Sequence, residues 1–287
     1  MAAQGTVLIT GGTDGLGRAA ALRLAAEGWR VVAAGRDPEK RARLADQARE
    51  RNLSLDVLEM DVTSDDSVAR AVEQAHARAG SIEVLVNNAG ISIVGVLEEL
   101  KLDDLRKTFE TNFFGAVRVT QRVLPIMRRA GRGRIINMSS IAGKVALPLF
   151  AAYSGSKFAL EGLSDALRRE VAPFGIHVVV IEPGFIPTSM QSTAMELSAA
   201  YVAGAAASPY AAVYKGFVAG WKRRTQGVRY TPEDCAEVVL RAIRETPPRP
   251  RYLVTRGATV MSLLCRVLSD RALDRRLLRA FGLNRRP

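Results

Sequence analysis

Tyr153 and Lys157 stand four positions apart in YSGSK, with only small residues between them. On a helix, positions i and i+4 share a face, so a phenol and an ammonium placed this way can point together. A neighbouring cation favours phenolate and is expected to lower the Tyr153 pKa from its usual value of about 10. Proton exchange near neutral pH is the chemistry such a pair would serve. Tyrosine and lysine at this spacing are common on helices, so the surrounding elements must carry the reading further.

Those elements alternate. Residues 6–10 read as a strand, 16–27 as a helix stopped by Gly28, 30–34 as a second strand and 38–52 as a charged helix. Apolar runs at 53–60, 84–86, 134–137, 177–181 and 252–254 bring the total to about seven strands, with helices between them. Strands this continuously apolar imply burial on both faces. With the strand–helix alternation they predict an α/β fold of Rossmann type, a doubly wound parallel sheet with helices on both faces. No repeat, low-complexity run or linker interrupts 287 residues that are 48% hydrophobic. A single domain over 1–287 is therefore expected, with a helical insertion near 185–230 and a basic helical tail near 257–287.

Between the first strand and the first helix lies TGGTDGLG at 10–17. Gly11 permits the tight turn, Gly15 lets the backbone approach a pyrophosphate, and Gly17 allows helix and strand to pack closely. The free N–H groups of the helix N-terminus then face the anion. A glycine turn can be purely structural, but one that follows a strand and opens a helix points to a dinucleotide. At the end of the second strand, where an acid would receive the ribose hydroxyls of NAD, the chain has Gly35 and Arg36. A guanidinium suits a 2′-phosphate, so NADP(H) is the expected cofactor and NAD(H) the alternative, with Asp37 complicating the local charge.

Two cysteines, Cys235 and Cys265, lie far apart without metal-ligand spacing, which suits a reducing, cytoplasmic setting and no metal site. Residues 1–10 lack the pattern of a secretory signal, and no run of 18 apolar residues suggests a membrane span. The net charge of +12 is uneven. Residues 241–287 hold twelve arginines against Glu245, Asp270 and Asp274, which leaves +3 for the first 240 residues. The basic character belongs to the tail, and no recognition motif for nucleic acid accompanies it.

TGGTDGLG, Asp61-Val62, NNAG at 87–90, Asn112, NMSS at 137–140, YSGSK and PGFIPT at 183–188 together resemble the short-chain dehydrogenase/reductase family. The run SKFALEGLSDALRREVAPFGIHVVVIEPG further resembles its hydroxysteroid and retinol dehydrogenase branch. The resemblance implies that Tyr153 is the general acid/base, that Ser140 hydrogen-bonds the substrate oxygen, and that Lys157 holds the nicotinamide ribose and depresses the tyrosine pKa. It implies that Asn112 supports a water relaying protons from Lys157. Around the cofactor it implies Gly11, Thr13, Asp14, Gly15, Leu16, Gly17 and Arg36. Asp61 and Val62 would touch adenine, Asn88, Ala89 and Gly90 would line the cofactor, and Asn87 would brace the sheet through its backbone. Pro183, Gly184, Ile186 and Thr188 would flank nicotinamide. Thr13-Asp14 departs from the serines common in this loop and sets an acid near the pyrophosphate. Ser139 is read as a hydroxyl that caps backbone. Pairing of copies through the helices that hold Asn112 and Tyr153 is implied as well.

Hydride transfer to a ketone makes an alkoxide, which needs donors aimed at the oxygen and one proton delivered promptly. Val145, Leu147 and Leu149, just before Tyr153, predict an apolar pocket for a bulky lipophilic alcohol, ketone or aldehyde. In the insertion, Ser208-Pro209 reads as a helix start, and Tyr210, Tyr214, Phe217 and Trp221 form a stripe that suits core packing or a substrate cover. In the tail, Leu273, Leu277, Leu278 and Phe281 share one face and Arg271, Arg275 and Arg279 another. Such a helix packs on the body or on a second subunit, or alternatively lies on an anionic membrane. The functions that fit are an NADP(H)-dependent oxidoreductase, a non-enzymatic NADP(H)-binding regulator on the same fold, and a nucleotide-sugar epimerase or dehydratase.

Overall fold

In β1 (Thr6–Thr10) every side chain is buried, and the period of two sends Val7 and Ile9 to one face and Leu8 to the other. The same division recurs in β2 (Arg30–Gly35), β4 (Val84–Asn87), β5 (Gly133–Met138) and β6 (Ile176–Glu182). Each face therefore needs its own cover. In the computed structural model, which describes residues 4–283, α1 (Gly15–Ala26) and α10 (Pro232–Arg244) cover one face. Helices α3 (Asp65–Ala79), α5 (Gly115–Ala130) and α6 (Ala151–Val171) cover the other. The last residues of the expected basic tail, 284–287, lie outside the described residues.

With β3 (Leu55–Glu59) and β7 (Arg251–Leu253) the sheet has seven strands, all parallel, in the order β3-β2-β1-β4-β5-β6-β7. The order reverses between β1 and β4, the switch point at which open α/β sheets place a ligand crevice, at the carboxyl ends of the strands. β3 begins two residues later than its apolar run suggests. Leu53 N–H bonds back to the Ala48 carbonyl at 2.9 Å and Asn52 adopts φ +51°, so these residues close α2 (Pro38–Glu50) instead. Between α4 (Leu102–Phe109) and α5 the chain makes one π-helical turn, Glu110–Phe114.

The insertion forms α7 (Ser189–Leu197), α8 (Ala199–Gly204) and α9 (Ala211–Thr225). α9 starts after the expected Ser208-Pro209, because the Ser208 hydroxyl accepts from Tyr210 N–H at 2.9 Å and holds that segment as a turn. The tail forms two helices, α11 (Arg256–Val267) and α12 (Asp270–Phe281), separated by extended Leu268 and Ser269. α12 lies on the body. Leu277 and Phe281 are buried, and Phe281 stacks on Phe217 of α9 at 5.6 Å with 8° between the rings. Gly216 and Gly220 leave room on α9 for this contact, since side chains there would run into Phe281. Leu278 departs from the expected apolar face: it is 40% exposed, one residue round the helix from Leu277. Among the described residues, no helix is long and apolar enough to cross a membrane.

Candidate active site

The crevice is built around glycine. Gly11 turns at φ +60° directly against Ala89, whose Cα would lie 2.9 Å from a β-carbon there. At Gly17 a side chain would overlap the Gly11 carbonyl and the Asn88 amide, so this glycine admits the close packing its spacing predicts. Asn88 fastens the two loops by donating to the Thr10 and Gly11 carbonyls at 3.0 Å each. Thr10 Oγ1 accepts from the N–H groups of Asn88 and Ala89 at 3.0 and 3.1 Å. Thr13 is buried against Gly35, and Leu16 packs on the core under α1. Across the opening, a β-carbon on Gly15 would lie 3.5 Å from Thr188 Cβ. This narrow glycine-lined cradle at a helix N-terminus fits a dinucleotide.

Asp14 resolves the question its charge raised. It caps α1 by accepting from Gly15 N–H at 2.7 Å and pairs with Lys40 Nζ at 2.5 Å. Burial would raise its pKa, but bonds from Lys40, Ser189 and the Gly15 N–H outweigh that and hold it below the usual carboxylate value. Its charge is thus balanced by a lysine from the first turn of α2. Asp37 is the N-cap of α2 and accepts from Lys40 N–H at 3.1 Å, which accounts for an acid beside Arg36. Arg36 is exposed and, among the described residues, has no ion pair within 4 Å. Asp61 accepts from the Thr63 N–H and hydroxyl at 3.0 and 2.8 Å. Val62 is buried against Gly115.

At the other end of the crevice, α6 brings Tyr153 and Lys157 onto one face, as expected. Lys157 is 4% exposed; its Nζ donates to the Met138 carbonyl at 2.7 Å and lies 5.7 Å from the centre of the Tyr153 ring. Burial pulls the lysine down to about 8, while the charge of Glu161 pulls it up. The Tyr153 pKa moves opposite to expectation. Burial raises it, and the Ser140 hydroxyl only partly offsets that, so the desolvation of the phenol outweighs any help from Lys157. Phe150 contributes to this dry setting, edge-on to Tyr153 at 6.0 Å.

Ser140 keeps its expected place beside the Tyr153 hydroxyl and also takes the backbone-capping duty expected of Ser139. Ser140 Oγ accepts from Ala142 N–H at 3.1 Å and lies 3.4 Å from the Pro183 carbonyl, so the backbone cap is Ser140, on the 3-10 turn Ile141–Gly143. Ser139 Oγ is buried without a hydrogen-bond partner. Asn112 sits in the π-helical turn, 1% exposed, with its amide committed. Its Oδ1 accepts from Ile91 N–H at 2.8 Å, and its Nδ2 donates to the Ile91 carbonyl at 2.9 Å and to Ser156 Oγ at 3.0 Å. Ser156 in turn donates to the Tyr153 carbonyl at 2.7 Å. A β-carbon on Gly90 would lie 3.2 Å from Asn112 Oδ1 and 3.8 Å from Lys157 Nζ, so Gly90 separates the two. Asn87 braces the sheet through its backbone, in register with Asn137 of β5, and through its side chain, which donates to Thr120 Oγ1 and Asn137 Oδ1 at 2.9 Å each.

After β6, Pro183 accepts from Ile141 N–H at 2.9 Å, and Gly184 leaves space for Thr255. Ile186 is buried in the core, and Thr188 caps α7 in a reciprocal box with Gln191. Val145 and Leu149 are buried in an apolar cluster with Tyr214, Phe217, Leu277 and Phe281, and Leu147 packs on its edge. The aromatic stripe is thus part of a core, with Tyr214 and Phe217 buried in it, and Phe150, stacked on Trp221 at 5.4 Å, connects the cluster to Tyr153. Leu149 holds φ +66°, an unusual conformation for a bulky residue. Lys40 and Ser156 were missed from the sequence. The signal for Ser156 was present, a hydroxyl inside YSGSK, whereas Lys40 meets Asp14 only through the fold.

Residues 5–198 match the family model for short chain dehydrogenases. Retinol dehydrogenase 8 from Bos taurus is 34% identical over 264 residues, 90% of this chain and 84% of that protein. The 17-beta-hydroxysteroid dehydrogenase type 1 of Homo sapiens is 35% identical over 259 residues, 88% of this chain and 78% of that one. A short-chain dehydrogenase from Streptomyces avermitilis superimposes with a TM-score of 0.76 at 30% identity, over 98% of this chain and 97% of that one.

Proposed function

The chain belongs to the short-chain dehydrogenase/reductase family and is an NAD(P)-dependent oxidoreductase of its hydroxysteroid and retinol branch; from that premise we propose NADP(H) as its preferred cofactor and a lipophilic alcohol, ketone or aldehyde as its substrate. The observation that carries the substrate reading is the apolar cluster joined to Tyr153 through Phe150, with Val145, Leu147 and Leu149 as its near wall. A polar carbonyl compound would find few partners there, whereas a lipophilic one loses little on leaving water. Arg36 supports the cofactor reading, being exposed just after β2, where a guanidinium suits a 2′-phosphate.

Bound nicotinamide supplies or accepts the hydride. Tyr153 donates its hydroxyl proton to the oxygen of a carbonyl substrate, or takes one from an alcohol. A phenol held in its neutral form by burial suits the first direction. Ser140 Oγ supplies the second hydrogen bond to that oxygen. Lys157 holds the cofactor ribose and restores the proton to Tyr153, and Asn112 fixes the π-helical turn against Ile91 and Ser156 so that a water can reach Lys157. Gly15 brings backbone to the pyrophosphate, with Gly11 supplying the turn and Gly17 the close packing beneath it. Asp61 and Val62 touch adenine, Asn88, Ala89 and Gly90 line the cofactor between its two ends, and Pro183, Gly184, Ile186 and Thr188 flank the nicotinamide side. The whole is one cytoplasmic domain that pairs through α4, α5 and α6, where Phe114 and Phe158 are exposed.

Any membrane contact belongs to α11 rather than α12. Val260, Leu263 and Val267 are 56%, 61% and 73% exposed along one side of α11, which carries Arg256 and Arg266 and no acid. The test of the function is a turnover assay on lipophilic and small polar carbonyls and alcohols with NADPH and NADH, with Tyr153→Phe as the blank. Lipophilic substrates should turn over faster and the mutant should lose about 10²- to 10⁴-fold. Faster turnover of the small polar set would overturn the substrate reading, and an unimpaired mutant would remove Tyr153 from the chemistry.

A further inference from the structure

Behind Lys157 lies a buried group of charges with no part in the mechanism above. Glu161 follows Lys157 by one helical turn and is 5% exposed; Glu182, the last residue of β6, is 1% exposed. Two cations face both carboxylates. Lys144 Nζ lies 3.0 Å from Glu161 Oε2 and 3.7 Å from Glu182 Oε1. Arg251 Nε, from the start of β7, lies 3.1 and 3.3 Å from the same two oxygens. On α6, Asp165 takes Arg251 Nη2 at 2.7 Å and Arg168 at 2.8 Å. Glu161 Oε1 is buried with no hydrogen-bond partner among the described residues.

The placement ties together the three segments that carry the chemistry. Lys144 follows the turn that Ser140 caps, Glu161 stands on the helix of Tyr153 and Lys157, and Glu182 directly precedes Pro183. Gly143 is the point of closest approach, where a β-carbon would lie 2.8 Å from Ser139 Oγ and 3.1 Å from both Glu161 Cγ and the Lys157 carbonyl.

We propose that Glu161, paired with Glu182 between Lys144 and Arg251, is a positioning residue that keeps the buried Lys157 in its charged, proton-donating form. Burial in a dry site disfavours an ammonium, and a carboxylate one turn away opposes that loss. Glu182 makes the support depend on pH. Its own burial and the charge of Glu161 raise it to about 7, against the pull of Lys144 and Arg251. Above that pH the pair carries two negative charges rather than one, and the hold on Lys157 strengthens as the solution becomes less able to protonate it. Besides Lys157, two groups face the two glutamates, Arg251 on β7 and Lys144 after the turn, while Asp165 and Arg168 on α6 lie behind Arg251.

The proposal rests on the reading of Lys157 as the residue that returns the proton to Tyr153, but its test needs no turnover. In full-length protein with ¹³C-labelled lysine side chains, the Cε resonance missing from Lys157→Arg identifies Lys157, and its titration is followed in Glu161→Gln and Glu161→Asp. Removing the charge in Glu161→Gln should lower the lysine midpoint by about one pH unit, a roughly tenfold loss of proton affinity. Glu161→Asp keeps the charge and should leave the midpoint near the wild-type value while losing comparable thermal stability. An unchanged midpoint in Glu161→Gln overturns the proposal, as does an equal shift in Glu161→Asp, which would make the effect one of packing. Should Glu161→Gln fail to fold, Glu182→Gln decides: a lowered Lys157 midpoint supports the role of the pair, and an unmoved one ends it. A wrong substrate class would leave every one of these results standing.

Discussion

Lys157 Nζ lies 5.7 Å from the centre of the Tyr153 ring, while its hydrogen bond goes to the Met138 carbonyl at 2.7 Å. The two groups share a face and a field but exchange no hydrogen bond, so burial governs both. That has a consequence for stability. Lys157 is depressed from 10.5 to about 8 in the folded chain. Between these values the unfolded chain binds a proton that the folded chain has released, so stability must rise with pH across that window. Below about 8 the cost of burying the charge is present in full, at most about 3 kcal/mol for a shift of this size. Denaturant melts from pH 7.5 to 10.5 should show this rise in the wild type and not in Lys157→Met; parallel curves would remove it.

Arg36 should discriminate between the two nicotinamide cofactors, whereas Lys40 should support both. Among the described residues Arg36 has no ion pair to break, and a charge-assisted bond to phosphate contributes about 1.5–3 kcal/mol. Arg36→Ala should therefore weaken NADPH by roughly ten- to hundredfold and leave NADH nearly unchanged. Lys40→Met also frees the Asp14 carboxylate beside the pyrophosphate, so both cofactors should weaken together. Titration of cofactor fluorescence with each variant checks the pattern, and an unaltered NADPH-to-NADH ratio in Arg36→Ala would defeat the NADP(H) reading.

Two glycine-to-alanine changes should have opposite signs. At Gly17 the added carbon collides with the Gly11 carbonyl and the Asn88 amide, which must move and open the cradle. Gly162 lies in the middle of α6 with nothing within 4 Å of its β-carbon position. Gly162→Ala should stabilise by about 0.5–1 kcal/mol through helix propensity. Gly17→Ala should melt earlier and lose cofactor binding. Thermal melts with and without cofactor distinguish the two.

What could be read from the sequence was what repeats locally. Buried strands leave unbroken apolar runs, and the glycine loop, Arg36, Ser140, Asn112, Tyr153 and Lys157 lie in short motifs whose spacing survives folding. What could not be read depends on segments far apart in the chain. Asp14 meets Lys40 across 26 residues and Arg251 meets Glu161 across 90, and no local pattern announces either pair. That Ser140 accepts from the 3-10 turn as well as meeting Tyr153 depends on the backbone conformation of the loop, which the motif does not announce. The tyrosine pKa failed for another reason: a charge can be counted from sequence, whereas the burial that outweighs it cannot.

The tail allows a last comparison between neighbours. Phe281 is fully buried, stacked on Phe217, with Gly216 and Gly220 close against it and Arg223 Nη2 on the Ala280 carbonyl at 3.0 Å. Leu278, three residues earlier, is 40% exposed. Phe281→Ala should cost about 3–5 kcal/mol, since the glycines of α9 cannot close the space. Leu278→Ala should stay within about 1 kcal/mol. The loss at Phe281 also reaches the site, because Phe217 stacks on Trp221, which stacks on the Phe150 beside Tyr153. Phe281→Ala should therefore raise KM for lipophilic substrates more than for small ones, while Leu278→Ala leaves both unchanged. Equal kinetics in the two variants would mean that α12 supports the fold without shaping the substrate wall.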